Sequence, residues 1–170
     1  KGVQVIYQPV RQTAFTIGGI ESFKESARRN RLNAKTEVIL FSEMTADPRL
    51  AGKTGFMPDS EVYFIQRVRY LDGKALIFDI NVCLKSAVPG LTDEIAKESI
   101  YDYIEGRLGM QVVTSKRQMT VERATPMDEK YLELDDYNSL AVVTGQTYNA
   151  DGVMFEYTQS RHHPDFFCFQ

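Results

Sequence analysis

The clearest alternation of apolar and polar positions runs through residues 61–84, EVYFIQRVRYLDGKALIFDINVCL. Strand side chains point to alternate faces, so the pattern predicts two strands joined by a tight turn at Asp72-Gly73. Arg67 and Arg69 then share one face. A shared anion such as phosphate would offset their repulsion through paired hydrogen bonds. The alternative, that both extend over a sheet edge or pair with carboxylates such as Asp79, is favoured by the pattern alone.

Four more stretches predict strands, because they are rich in β-branched residues or alternate in polarity. They cover residues 36–45, 111–122, 139–149 and 153–161, with Asp151-Gly152 as the turn of a second hairpin. Residues 3–17 predict an arm or edge strand that leads in from a missing neighbour, because they contain Pro9 and alternate irregularly.

Short helices are predicted at three start signals in which a serine or threonine is followed three residues later by an acid. They run from Ser22 to about Asn30, from Ser99 to Leu108 with Gly109 as a left-handed stop, and from Thr125 to about Leu134. Helical turns are also expected within 49–53 and 92–98. Six strands with mostly hairpin neighbours and a few short helices predict an α+β domain with an antiparallel sheet.

Length and composition indicate one soluble domain. The chain has 170 residues, 43% hydrophobic, and lacks an apolar run near the roughly 18 residues that a membrane span needs. It begins Lys1-Gly2 without Met, as expected of a fragment cut from a longer protein. Cys83 and Cys168 predict free, buried thiols, which indicates a cytoplasmic protein. A net charge of -3 argues against a nucleic-acid surface on this piece of the protein.

The candidate chemistry is a site for phosphate and sugar hydroxyls. Arg67 and Arg69 would bind the phosphate, helped by the helix starts at Ser22 and Ser99. The carboxylates of Asp79 and Glu156 would accept hydrogen bonds from sugar hydroxyls. Spacing alone cannot show that these elements converge, so the pattern by itself favours serines that only cap helices and acids that only balance arginines.

No metal, cofactor or catalytic site is predicted. His162 and His163 are adjacent on a strand and point to opposite faces, so they cannot clasp one metal ion in the usual way. Patterns for a nucleophile with its base, or for a phosphate-binding loop, are missing from the sequence.

Three segments, in order, carry a family resemblance: QRVRYLDGKALIFD, SIYDYIEGRLG and FEYTQSRHHPDFFCF. Together they resemble the effector-binding domain of GntR-type regulators of the histidine-utilisation-repressor (HutC) subfamily, from about Gly18 to Phe169. Within that subfamily, IESFKE, SIYDYIEGRLG and YTQSRHHPDFF are most similar to repressors of trehalose operons.

The resemblance implies a chorismate-lyase-like fold without lyase chemistry. It implies a domain, residues 1–170, that forms homodimers and senses a small metabolite, while an amino-terminal winged helix-turn-helix domain, absent here, binds operator DNA. The expected effector is a phosphorylated sugar, trehalose 6-phosphate, whose binding would shift the dimer away from the state that fits the operator. The alternatives are another phosphosugar such as an amino-sugar 6-phosphate, an enzyme related to chorismate lyase, or a pure dimerisation module.

The resemblance also assigns expected roles to individual residues. Those expected to contact the effector are Ser22 and Phe23 at an amide-donating turn, Arg67 and Arg69 at the phosphate, Ser99 and Tyr101 at a helix start, and the acids Asp79 and Glu156. His162 stands where the family usually has Tyr, and Asp79 where it usually has Glu. These departures leave the identity of the sugar open.

Overall fold

The computed structural model describes residues 13–15 and 23–169. Ser22 and the rest of the predicted lead-in lie outside these ranges. The strands are β1 Thr13–Phe15, β2 Ala34–Thr45, β3 Glu61–Leu71, β4 Lys74–Leu84, β5 Val112–Arg123, β6 Ser139–Asn149, β7 Met154–His162 and β8 Phe167–Phe169. Six of them form one antiparallel sheet in the order β2-β3-β4-β7-β6-β5, whereas β1 and β8 pair separately and in parallel. The predicted α+β class with a central antiparallel sheet is confirmed.

Short helices connect the strands. They are α1 Phe23–Arg29, α2 Pro48–Thr54, α3 Asp93–Glu98, a π-helix Asp102–Arg107, α4 Pro126–Tyr131 and a 3-10 turn Pro164–Phe166. At the start of α4, Thr125 Oγ1 accepts a hydrogen bond from the Asp128 amide while the Asp128 carboxylate accepts one from the Thr125 amide. This reciprocal pair is the capping box that the sequence predicts.

The helix predicted from Ser99 to Leu108 differs from expectation in its hydrogen bonding. Ser99 is extended and separates α3 from the following turn, which is π-helical over Asp102–Arg107. The Leu108 amide donates to the Tyr103 carbonyl at 3.0 Å, five residues earlier. Each hydrogen-bonded loop therefore encloses one more residue than in an α-helix. Gly109 ends the segment at φ 63, the left-handed stop that was expected.

The central hairpin has the turn that its sequence predicts. Asp72 and Gly73 have φ of 48 and 85, the combination of two positive angles that suits a two-residue hairpin loop. The Asp72 carboxylate accepts a hydrogen bond from the Asn33 amide at 2.9 Å, which ties the turn to the start of β2. The β3–β4 register follows, with Arg67 opposite Asp79.

The sheet has two different faces. On one face a buried apolar cluster that includes Tyr63, Ile65, Ile100 and Ile104 packs beside a polar depression. On the other face Val68, Phe78, Leu140 and Val142 are covered by Leu132 and Leu134, which follow α4. The sheet is therefore the floor of a pocket on one side and half of a core on the other.

Arg161 fastens α4 to the core face. Its Nε donates to both carboxylate oxygens of Asp128 at 2.9 Å, and its Nη1 donates to Glu122 at 2.6 Å. Arg161 and Asp128 are both buried. A second set of buried arginines paired with a carboxylate, Arg67 and Arg69 with Asp79, lies on the pocket side of the sheet.

Cys83 and Cys168 are both free thiols. Cys83 is buried as predicted, but Cys168 is partly exposed because it lies on the short strand β8. Within residues 13–15 and 23–169, none of the helices has both the length and the apolar character needed to cross a membrane.

Candidate functional site

The polar depression lies over the middle of the sheet. Strands β3 to β7 supply its floor, and α1, the segment 98–101 and Phe167 supply its walls. Its lining consists of Phe23, Lys24, Arg67, Arg69, Ile77, Asp79, Asn81, Glu98, Ser99, Ile100, Tyr101, Ser115, Arg117, Val143, Thr147, Glu156, Thr158, Ser160, His162 and Phe167. The structure thus brings together every residue predicted for the site except Ser22, which lies outside the described residues.

Arg67 and Arg69 are buried in the floor, 3% and 6% exposed, and they share one carboxylate. Asp79 Oδ2 lies 2.8 Å from Arg69 Nε and 3.9 Å from Arg67 Nη2. The pairing with Asp79, which the sequence pattern alone favoured, is therefore present. The phenyl ring of Phe23, at the start of α1, lies 4.8 Å from Arg69 Cζ and covers that guanidinium from the outside.

Both arginines keep unused donors. Arg67 donates twice to Asn81 Oδ1, at 3.2 and 2.7 Å, and once to the Ala96 carbonyl at 3.2 Å. Arg69 donates to Asp79 and to Thr36 Oγ1. A guanidinium has five N–H donors. Within the described residues, two N–H groups of Arg67 and three of Arg69 therefore have no hydrogen-bond acceptor.

The charge balance around the arginines is unfavourable as it stands. Two cations face one carboxylate at close range. Burial together with Arg69 lowers the pKa of Arg67 to about 9, although Asp79 and the more distant Glu156 oppose this shift. Burial alone would raise the pKa of Asp79, but Arg69, Arg67 and a side-chain hydrogen bond with Ser160 together hold that pKa below its ordinary value. Asp79 Oδ1 is buried without a hydrogen-bond partner among the described residues. An anion with a hydroxyl nearby would complete this group.

A second buried group lies beside the first. Glu156, 0% exposed, accepts hydrogen bonds from the Tyr101 hydroxyl at 2.6 Å and from Asn81 Nδ2 at 3.0 Å. Burial raises the pKa of Glu156, although both hydrogen bonds oppose the shift. Burial and Glu156 raise the pKa of Tyr101 well above its ordinary value. Asn81 therefore connects Arg67 to Glu156 and fixes the orientation of both.

Ser99 has a partner in its own turn. Its Oγ accepts a hydrogen bond from the Asp102 amide at 3.1 Å, so it caps the segment that follows, as the alternative to ligand binding predicted. Ser99 still lines the pocket, because its extended backbone places it between α3 and Tyr101. The cap holds Tyr101 over the sheet.

His162 lies at the end of the pocket where β7 meets β8. Its ring centroid is 4.8 Å from that of Phe167, and burial lowers its pKa to about 4 although Asp79 opposes the shift. The imidazole is therefore neutral near pH 7. His163 points away, and its Nδ1 accepts a hydrogen bond from the Asp165 amide. Within the described ranges, His, Cys, Asp and Glu side chains do not gather in groups of three or more that could hold a metal ion.

Several pocket residues were not predicted. They are Lys24, Asn81, Ser115, Arg117, Thr147, Thr158 and Ser160. Strand periodicity carried part of the signal, because Asn81 lies two residues after Asp79, and Thr158 and Ser160 lie between Glu156 and His162 on the same face. The residues of β5 and β6 could not be found this way, because their contribution depends on the strand order.

The chain is similar in sequence to known proteins. The profile of the UTRA domain family matches residues 29–167. The HTH-type transcriptional regulator TreR of Bacillus subtilis (strain 168) is 33% identical over 155 residues, which cover 91% of this chain and 65% of that protein. The chain thus spans somewhat less than two thirds of the length of this relative.

Solved structures show the same fold. The effector binding domain of the B. subtilis trehalose repressor (TreR) has 32% sequence identity and a TM-score of 0.73, over 80% of this chain and 94% of that one. A GntR family transcriptional regulator from Bacillus cereus has 29% identity and a TM-score of 0.71, over 81% and 96% of the two chains. These relatives are transcriptional regulators, not enzymes, and the chorismate-lyase-like fold that the resemblance implied is confirmed.

Proposed function

Because the chain belongs to the UTRA domain family, we propose that it is the effector-sensing and dimerisation domain of a GntR-type transcriptional repressor, with a phosphorylated sugar as effector. The observation that carries this proposal is the buried pair Arg67 and Arg69, which shares one carboxylate, lines a pocket and keeps N–H donors without a partner among the described residues. A phosphate dianion would add negative charge beside the two cations and acceptor oxygens for their N–H groups at once.

The sugar is expected beside the phosphate, over Asp79 and Glu156. Asp79 Oδ1 can accept from a sugar hydroxyl without losing a protein partner among the described residues. Tyr101 and Asn81 hold Glu156 in place at the pocket wall. We propose trehalose 6-phosphate as the effector, in line with the similarity to the trehalose repressor of B. subtilis.

An amino-sugar 6-phosphate is the second candidate, and the electrostatics argue against it. A free ammonium group needs an ionised acceptor, and Asp79 already faces two arginines. A neutral sugar fits this surrounding better.

Occupancy of the pocket has a physical route to the amino-terminal side of the chain. Phe167 lines the pocket and belongs to β8, which pairs in parallel with β1, residues 13–15. Phe23 of α1 covers Arg69. A ligand that moves Phe167 or Phe23 therefore acts on the segment that would lead to a winged helix-turn-helix domain. In the proposed cytoplasmic protein this changes the fit of the dimer to operator DNA.

Thermal unfolding with added ligands tests the proposal. Trehalose 6-phosphate should raise the Tm of the 170-residue chain far more than trehalose or inorganic phosphate at the same concentration, because only the phosphosugar uses both the arginines and the sugar wall. Equal Tm shifts from trehalose and trehalose 6-phosphate would contradict the proposal that the site binds a phosphate group.

A further inference from the structure

A hydroxyl-lined area lies on the side of the pocket away from the arginines. Thr158 of β7 and Arg117 of β5 both pair with Gly145 of β6, and Ser115 pairs with Thr147 one step along. We call Ser115, Thr147 and Thr158, grouped around Gly145, the hydroxyl shelf. Thr147 is buried, while Ser115 and Thr158 are half-buried and line the pocket.

Gly145 leaves room for the hydroxyl groups of the shelf, because it has no side chain. A Cβ at this position would lie 2.8 Å from Thr158 Oγ1 and 3.6 Å from Ser115 Oγ, so any larger residue displaces the threonine hydroxyl. Thr158 Oγ1 occupies the space that a side chain on β6 would take. Around Gly145 the pocket floor therefore consists of hydroxyl groups and backbone. At β3, in contrast, it consists of the long side chains of Arg67 and Arg69.

The chemistry of the shelf suits a neutral polyol. Each hydroxyl both donates and accepts hydrogen bonds, as sugar hydroxyls do. Thr147 Oγ1 lies 3.4 Å from Ser115 Oγ and 3.5 Å from the Tyr101 hydroxyl, so its present contacts are long and can be exchanged for shorter ones to a ligand. Val143 adds an apolar surface for the C–H side of a ring. Arg117, which pairs with Gly145 and also lines the pocket, is exposed.

The shelf begins beside Glu156, farther from the arginines than Asp79 is. Thr147 pairs with Glu156 across β6 and β7, and its Oγ1 lies 3.5 Å from the Tyr101 hydroxyl. The order β3-β4-β7-β6 puts three strand spacings between Arg67 and Gly145, about 14 Å at roughly 4.8 Å per strand. With the phosphate at Arg67 and Arg69 and the first ring over Asp79 and Glu156, a second ring would extend from Glu156 over the shelf.

We propose that the hydroxyl shelf is a second sugar subsite, which binds the unphosphorylated ring of a disaccharide phosphate and makes the domain select disaccharide over monosaccharide phosphates. This inference rests on the proposed function, since it takes the phosphate to lie at Arg67 and Arg69. It adds residues of β5, β6 and β7 as specificity determinants.

Calorimetric titration of two ligands tests the subsite. Trehalose 6-phosphate and glucose 6-phosphate share a phosphate and its ring, and differ in the second ring. The wild-type chain should bind the disaccharide phosphate at least about tenfold more tightly, the gain from one or two added hydrogen bonds. Equal affinities for the two ligands would overturn the subsite and leave phosphosugar sensing intact. Binding of neither ligand would overturn the proposed function as well.

Variants of the shelf make the test specific. Thr158→Val keeps the shape of the side chain and removes its hydroxyl, so it should weaken trehalose 6-phosphate binding roughly fivefold and leave glucose 6-phosphate binding unchanged. Ser115→Ala, on the edge strand where a folding defect is least expected, should act in the same direction. Thr114→Val is the matched control, because Thr114 is exposed on the opposite face of β5.

The selective loss is what distinguishes a subsite from a general effect on the fold. The Tm of each unliganded variant shows whether it is folded. Equal losses for both ligands in Thr158→Val and Ser115→Ala, or no loss for either ligand, would contradict the second subsite.

Discussion

At the scale of single residues, the account depends on how Arg67 and Arg69 share Asp79. A buried cation beside a like charge is costly unless each has a partner, and one carboxylate serves both here. Structural pairing and ligand binding are compatible, because the carboxylate holds the guanidinium groups in place and an added anion would provide further acceptor oxygens. The structure contains the pairing with Asp79, and binding of an anion by the same two arginines stays a prediction.

The geometry of the arginine fork should matter as well as its charge. Arg69→Lys keeps the charge but loses the planar donors, so we expect trehalose 6-phosphate binding to weaken by roughly 1.5 to 3 kcal/mol, the contribution of a charged hydrogen bond. Calorimetry measures this change. Arg161→Lys is the matched control, since Arg161 is an equally buried, carboxylate-paired arginine on the opposite face of the sheet. It should lose stability and keep its affinity for the ligand, and equal affinity losses in both variants would argue against a direct role for Arg69.

His162 should make the fold sensitive to acid. Its pKa is about 4 in the folded chain and 6.5 ordinarily, because burial opposes protonation. As the pH falls from 6.5 towards 4, the unfolded chain takes up a proton that the folded chain does not, so stability falls by up to about 1.4 kcal/mol per pH unit. Above pH 6.5 the effect is absent.

The comparison with His162→Gln isolates this contribution, because the carboxylates that titrate nearby are the same in both proteins. Urea unfolding at pH 7.5 and pH 4.5 should show that the variant loses roughly 2 to 3 kcal/mol less than the wild type over this interval. Parallel losses in the two proteins would mean that His162 is protonated in the folded chain.

At the scale of elements, the turns were the most predictable part of the chain. Asp72-Gly73 has the backbone angles that its sequence demands, and Thr125 caps its helix as expected, because both depend on interactions within a few residues. The π-helix at Asp102–Arg107 was not predicted. In this segment Ile100 and Ile104 pack into the core while the Tyr101 hydroxyl donates to Glu156. The wider turns depend on such tertiary contacts, which the local sequence does not predict.

Two glycines of this segment give a clean pair of variants. Gly109 has φ 63 and open space around its Cβ position, so Gly109→Ala should cost about 1 kcal/mol from backbone strain alone. Gly106 also has open space but no left-handed backbone. Gly106→Ala should therefore be neutral or slightly stabilising in urea unfolding. A neutral Gly109→Ala would show that the segment ends differently.

At the scale of the whole molecule, the edge strand β5 is the candidate dimer surface. It has 12 residues at the sheet edge and exposes Val113, Met119 and Val121, by 59%, 51% and 79%. Long apolar edges invite pairing with another strand. We expect the chain to be a dimer in solution, and a Met119→Glu, Val121→Glu double variant to be monomeric by light scattering after gel filtration. Met57→Glu, at an apolar residue 76% exposed and outside β5, should remain dimeric. A monomeric wild type would contradict the dimer.

The composition of the pocket was predictable from the sequence, but its shape was not. Strand alternation predicted that Arg67 and Arg69 share one face of the sheet, because residues two positions apart on a strand point to the same side. The convergence of β3, α1 and segment 98–101, and the contribution of Ser115 and Thr147, follow from the strand order, which brings residues far apart in sequence side by side. Residue spacing did not predict that these elements meet at one pocket. The family resemblance did.

A crystal structure of the chain with trehalose 6-phosphate tests the central claim most directly. The account predicts that phosphate oxygens lie within about 3 Å of N–H groups of both Arg67 and Arg69, a hydrogen-bonding distance. The sugar should extend from there towards Tyr101 and Glu156. A phosphate held elsewhere, with the two guanidinium groups still bonded only to Asp79, Asn81 and their present partners, would contradict it.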